Sequence, residues 1–431
     1  MPSRSILRRL SAALLLSAGL AAAAPATLTL DSAPAKPLPP RVIGGFNLGN
    51  WMPVVEALDN LRSVAPSLVR FPGGNVGDEN DLTDANFKPL SSNMELLTTG
   101  KAPPALIVQT RVFGGKPGAK NTPADAARAV GYARDAGLKV AYWEVGNEPD
   151  LFSKNRGDAS WTPERYCATF RAQREAMLKV DPQAKFAGPV TSNGNGPADT
   201  FLRAFVKQCG DVVDLLTWHE YPNDGSGSDE DALNTVSVID RELAAYRALL
   251  DSPESNPLGY KRRTPLGITE YSLSYKSDNP RHLSDQVGAL WAAEATVRMA
   301  EGGASVAAYF ALMATGGHGL VDLADIPRPS LTAFQQLQAF TGSWRKISSS
   351  DPMLWTHAAQ DGQKLTVLVT NTDTDKRPLS AALPGYQLVG VVSAVANTVD
   401  GADEGEMRRL PLGASVNLPA RSLTRLVYKQ Q

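Results

Sequence analysis

Cysteine and histidine are scarce: the 431 residues hold two of the former and four of the latter. The histidines, at 219, 282, 318 and 357, are scattered and no His-Glu-x-x-His occurs. A metal-dependent hydrolase would cluster its ligands, so no metal and no cofactor are expected. Gly-x-Ser-x-Gly is missing too, which removes the serine-hydrolase elbow. Neither charge is in excess: 43 Lys+Arg against 44 Asp+Glu leave a net charge of -1. Bulk electrostatics therefore gives no reason to bind nucleic acid or an anionic membrane.

Long apolar runs are lacking except for Leu10 to Ala24, whose 15 residues fall short of the roughly 20 that span a bilayer. Arg4, Arg8 and Arg9 precede it and small residues follow, the layout of a secretory signal peptide over 1–24. Its removal also removes those three arginines and would leave a net charge of -4. A secreted or periplasmic chain with no membrane attachment after cleavage is expected. In that compartment Cys167 and Cys209, 42 positions apart, are able to bridge, but sequence leaves their pairing open, as it does the oligomeric state.

What is present is a globular composition, 43% hydrophobic and 20% charged, sufficient for a large core. Residues 25–40 read as one strand, Thr27 to Leu30, and a Pro-rich linker. Eight short apolar runs follow: Val42–Leu48, Leu68–Phe71, Leu106–Val112, Val140–Val145, Lys185–Val190, Val212–Trp218, Leu266–Thr269 and Ser305–Phe310. Helical patterns lie between them, two opened by Thr122-Pro123 and Thr162-Pro163. Eight such units predict an α/β fold, a (β/α)8 TIM barrel over 41–340. The alternative is a doubly wound open sheet, but Gly44-Gly45-Phe46-Asn47 lacks its third glycine. Residues 345–431 turn to alternating runs broken by Asn, Asp, Gly and Pro, a small antiparallel β-sandwich domain.

A parallel barrel places its chemistry at the C-terminal ends of its strands. Polar residues there include Arg70 (second strand), Asn147 and Glu148 (fourth), His219, Glu220 and Tyr221 (sixth) and Glu270 (seventh). Glu148 and Glu270 would face each other across the mouth. Two carboxylates about 5 Å apart serve retaining glycoside hydrolysis, one as nucleophile and one as acid and then base, while a wider gap inverts configuration. Other readings stand beside this one: Glu148 as a helix cap, Glu270 as a loop acid, Arg70 as an ion-pair partner of Glu144, Trp143 and Trp218 as barrel packing. Glu220 should face the helices.

Trp143-Glu144-Val145-Gly146-Asn147-Glu148-Pro149-Asp150 resembles the fourth-strand signature of clan A glycoside hydrolases. Arg70-Phe71-Pro72-Gly73-Gly74-Asn75, His219-Glu220-Tyr221 and Ile268-Thr269-Glu270-Tyr271 are similar to those of the second, sixth and seventh strands. The resemblance covers nearly all of 41–340 and points to family 79, heparanase and β-glucuronidase-like, to family 39 or to family 51, with residues 146–152 tilting toward family 79. It implies that Glu148 is the acid/base, Glu270 the nucleophile and Asn147 a partner of the sugar 2-hydroxyl. Arg70 would orient Glu270, and His219 and Tyr221 would hold Glu270 and the acid/base region.

The expectation is a retaining glycosidase on a carbohydrate substrate, of β-glucuronidase, β-xylosidase or α-L-arabinofuranosidase type. A non-catalytic carbohydrate-binding protein on a barrel is the alternative. The tryptophan usual near the end of the eighth strand is not obvious in Tyr309-Phe310-Ala311; Trp51, Phe113 and Trp143 are candidate sugar platforms. A uronic-acid substrate would draw on Arg111, Lys116 and Tyr271.

Overall fold

The computed structural model describes residues 24–33, 35–100, 102–399 and 402–431. The expected leader, 1–24, lies almost wholly outside the described residues. Eight parallel strands close a barrel: β1 (Gly45–Asn47), β2 (Leu68–Phe71), β3 (Ala105–Thr110), β4 (Val140–Val145), β5 (Phe186–Thr191), β6 (Leu215–Glu220), β7 (Leu266–Tyr271) and β8 (Val306–Tyr309). They follow one another around the ring, and Tyr309 of β8 pairs Phe46 of β1. This is the TIM barrel that eight apolar runs predicted.

Two strands, β1 and β6, begin three residues into their apolar runs. Val42 and Ile43 belong to a one-turn helix, Pro40–Ile43, because Pro40 at its first position favours a helical start. Val212 and Val213 donate to Cys209 O and continue the preceding helix as a turn. The helices obey their end signals. Thr122 and Asp125 form a reciprocal cap ahead of Pro123–Asp135, and Gly137, at φ +73°, lies just past that helix, where a side chain would be strained.

Inside the barrel, Leu68, Ile107, Ala187, Leu215, Val306 and Ala308 form a dry layer. Outside it, the strand backs and helices form a continuous apolar core. Cys167 and Cys209 are bridged at a Cα separation of 6.0 Å, tying helix Pro163–Leu178 to its neighbour Gly196–Cys209 in the outer layer.

One irregularity matters for the site. On β7, Ile268 pairs Trp218 and Glu270 pairs His219, so β7 carries one residue more than β6 over this step, and the same extra residue appears against β8. A Cβ at Gly267 would strike Val306 and Leu215, so position 267 faces the barrel interior. Regular alternation would send 269 and 271 the same way. The bulge instead turns Glu270 inward, while the Tyr271 hydroxyl meets Thr296 of helix Gln286–Glu301 at 2.6 Å.

The C-terminal region is an antiparallel sandwich. Seven strands run in the order Ala402–Arg409, Tyr386–Val399, Ser422–Gln430, Lys364–Asn371, Leu354–Asp361, Ser343–Arg345, Lys36–Pro37, facing two two-stranded ribbons. The N-terminal strand Leu28–Leu30 pairs Ile347–Ser349, and the supposed linker supplies the edge strand Lys36–Pro37. His357 of the sandwich lies 2.9 Å from Glu301 and 3.1 Å from Glu294 of the barrel helix. Burial opposes its charge, but the two carboxylates raise its pKa to about 10.

Candidate active site

The strand-end side chains converge above the dry layer. Arg70, fully buried, is the hub. Its Nε donates to Glu144, Nη1 to Asn47 Oδ1 at 3.0 Å and Glu270 Oε1 at 2.5 Å, and Nη2 to Asn147 Oδ1 at 3.1 Å. The ion pair with Glu144 and the contact with Glu270 therefore coexist. Burial opposes the guanidinium charge, but Glu144 and Glu270 more than offset this and raise its pKa.

Glu270 also accepts from the Tyr221 hydroxyl at 2.9 Å. Burial pushes its carboxyl up, yet His219, Arg70 and Tyr221 outweigh burial and hold it below the ordinary glutamate value. Burial lowers the His219 pKa, whereas Glu270 and Glu148 raise it further, so the ring is held toward its charged form. Its Nδ1 lies 2.9 Å from Glu148 Oε1 and 3.6 Å from Glu270 Oε2, and thus touches both acids. A carboxylate oxygen of Glu148 lies within 4.8 Å of one of Glu270.

Glu148 has left-handed backbone, φ 45° and ψ 51°, and its N–H donates to Val190 O at 2.9 Å. Such a conformation costs a non-glycine residue on the order of 1–2 kcal/mol, a strain found at functional sites. The residue precedes a short turn, Pro149–Leu151, without capping it; the carboxylate goes to His219 instead. The cap reading is thereby displaced. Asp150 fastens this loop to the next, accepting from the Ser192 N–H at 3.0 Å and hydroxyl at 2.6 Å.

The six expected site residues thus meet at one cavity of about 600 Å³, with Asn147, Glu148, Tyr221 and Glu270 on its lining. Glu148, His219 and Glu270 each offer one atom to a shared point, as a metal site would. A divalent cation there would face the Arg70 guanidinium already paired to Glu270, so the donor set suits a proton and a cationic carbon better than a metal.

Other expectations fail on placement. Trp143 is buried in the core, Phe113 packs against Phe152 at 5.0 Å, and Trp51 lies away from the cavity lining. Phe310 lines the cavity in their place, its ring 5.2 Å from that of His318. Arg111 is consumed by Asp81 and three carbonyls, Lys116 faces Asp81 at 3.6 Å, and the bulge turns Tyr271 to the helices. None of the three reaches the cavity. Asn47, at the end of β1, satisfies the strand-end rule but is absent from the strand-end residues expected from sequence; His318 sits on a loop and Lys154 on the one-turn helix Phe152–Asn155, neither with a periodic signal.

A model of the family described as "Glycosyl hydrolases family 39" matches residues 131–384, more than half of the chain. The chain belongs to family 39. That is one of the three families the motifs resemble, although not the one toward which residues 146–152 tilt. A β-xylosidase of Caldicellulosiruptor saccharolyticus is 24% identical over 280 residues, 61% of this chain and 54% of that protein. A heparanase of Rattus norvegicus is 26% identical over 167 residues, 38% of this chain and 30% of its own. The chain thus spans about half the length of the first relative and less than a third of the second. Among solved structures, an α-L-arabinofuranosidase of Thermotoga maritima superimposes with a TM-score of 0.73 at 16% identity, covering 94% of this chain and all of that one. A family 39 enzyme of Xanthomonas axonopodis pv. citri gives 0.63 at 16% identity, covering 95% and 98%. These likenesses carry the fold.

Proposed function

We propose that this family 39 chain is a secreted retaining glycosidase whose reaction belongs to the barrel, residues 41–340. The observation that carries the reading is the pair of acids within 4.8 Å, the separation at which one carboxylate reaches the anomeric carbon directly. Their environments differ as the two roles require. Glu270, 4% exposed and held ionised by Arg70, His219 and Tyr221, attacks the anomeric carbon. Glu148, at the rim, donates its proton to the glycosidic oxygen as that bond breaks. Glu148 then takes a proton from water, the hydroxide forms its bond to the anomeric carbon, and the ester to Glu270 is released with configuration retained. Asn147, oriented by Arg70, is placed for the sugar 2-hydroxyl. The scheme calls on no metal or cofactor.

The sugar bound over Glu270 is neutral, of the xyloside or arabinofuranoside kind. The cavity wall beside Glu270 is formed by Gly74, Tyr221, Tyr275, Ser277, Phe310 and His318, with no cation among them. Burial lowers the His318 pKa to about 4, so that ring is neutral as well. A uronate carboxylate there would meet Glu270, whose cations Arg70 and His219 are already paired to it, and no other cation on that wall.

Aryl xyloside, arabinofuranoside, glucoside, galactoside and glucuronide offered to the wild type and to Glu270→Ala test this. Turnover of a neutral glycoside with a retained anomer, lost in the variant, is expected. An inverted anomer defeats the mechanism, preferred glucuronide turnover defeats the neutral-sugar reading, and binding without turnover in either protein supports a carbohydrate-binding role.

A further inference from the structure

Glu148 protonates the departing oxygen, so the leaving group must lie against the wall that Glu148 belongs to. That wall is built by the loops after β4 and β5: Leu151, Lys154 and Asn155 follow Glu148 directly, and Ser192 and Asn193 are tied to the same loop through Asp150. The opposite wall surrounds Glu270. A Cβ at Gly74 would fall 3.6 Å from Glu270 Oε1 and 3.2 Å from the Phe310 ring, and the His318 ring stands 6.1 Å from that of Tyr221. Every cavity-lining residue with a settled side is therefore on one wall or the other.

Charge is divided between them. Lys154 is the one cation among the described residues lining the cavity, and it has no ion-pair partner among the described residues. Two other cations on the strand-end connections are already committed. Arg156 pairs Glu79 at 2.8 Å and lies over Phe113, and Lys116 pairs Asp81. An unpaired ammonium lining a cavity that already holds two acids and their cations has no carboxylate to neutralise among the described residues.

We propose that Lys154 binds an anionic substituent on the leaving group, so that the natural substrate joins a neutral sugar to a unit carrying a carboxylate or sulfate. The inference rests on the glycosidase reading above and extends it from the sugar cleaved to the unit released. A point charge of this kind selects by ion pairing over a few ångströms without demanding a fixed fork geometry.

The test compares 3-carboxyphenyl β-D-xyloside and α-L-arabinofuranoside with their methyl esters, in the wild type, Lys154→Gln, Lys154→Glu and the control Lys116→Gln. The ratio of kcat/KM for acid over ester cancels differences common to both substrates. It is expected to fall about three- to fivefold in Lys154→Gln, to fall further on charge reversal, to shrink in the wild type at high salt, and to hold in Lys116→Gln. An unchanged ratio in both Lys154 variants, or an equal change in the control, overturns this inference while leaving the glycosidase reading intact. Silence of the wild type toward these compounds and toward every aryl glycoside overturns the glycosidase reading and this one with it.

Discussion

Two pairs of glutamates flank strand β6, one at the mouth of the barrel and one behind its wall. Glu148 and Glu270 meet at His219; Glu220, on the opposite face of the same strand, meets Glu242 of helix Val238–Asp251, which also accepts from the Trp218 indole at 2.9 Å. In front, Arg70 and His219 stand among the acids. Behind, both Glu220 oxygens lack a hydrogen-bond donor, and burial together with the Glu242 charge pushes Glu220 well above the ordinary glutamate value. The same residue type beside another glutamate is thus driven in opposite directions. Close carboxylates alone do not make a reactive pair; buried cations and an open cavity do.

The largest effect should come from removing the front nucleophile. Glu270→Ala is expected to lower kcat by on the order of 10⁴-fold or more, with thermal unfolding showing the fold intact. Steady-state kinetics at saturating substrate checks this; a loss below tenfold would transfer the role elsewhere.

Arg70→Met makes the front pair resemble the back pair. Removing one partner of a buried ion pair costs about 3–5 kcal/mol, readable by urea unfolding. With its guanidinium gone Glu270 takes up a proton more readily, so the acid limb of the pH–rate profile should move to higher pH.

The pairs also predict opposite pH dependences of stability. Glu270 has a folded pKa below its unfolded value near 4.5, so its contribution is present above that value and is lost as pH falls through the lowered one. Glu220 has a folded pKa above 4.5, so its contribution is full below 4.5 and is lost as pH rises through the raised value. Glu220→Gln should therefore raise the urea midpoint at pH 8, leave it nearly unchanged at pH 4, and spare turnover. Urea titrations of both proteins at the two pH values decide it.

Barrel, strand order and six converging side chains were legible because a closed parallel sheet makes strand-end position and inward direction follow from short apolar runs. Glu220 was correctly assigned to the helix face by alternation alone. Tyr271 was not, because nearness to the strand end suggested a place at the cavity, whereas alternation from an inward Glu270 sends it to the helices, as observed. His318 lies on an irregular loop and Lys154 on a helix of a single turn, Phe152–Asn155, too short for spacing or periodicity to mark. The pairing of Lys36–Pro37 was hidden for another reason: two residues suffice for an edge strand, and Pro37 suits an edge.

The smallest expected effect concerns the sugar face that only the front pair possesses. Phe310→Ala should raise KM about fivefold, the order of a lost aromatic contact, with little change in kcat. A fall in kcat alone would instead assign Phe310 to holding Gly74 and Glu270 in place.

The supernumerary residue on β7 acts as a change of reading frame. Below it, odd positions face the barrel axis; above it, the assignment of inside and outside is exchanged. Paired regularly, without the bulge, the same sequence would send Glu270 outward among the helices and turn Tyr271 into its place. The register of β7 against its neighbours, and not the residue types alone, decides which of Glu270 and Tyr271 the cavity receives.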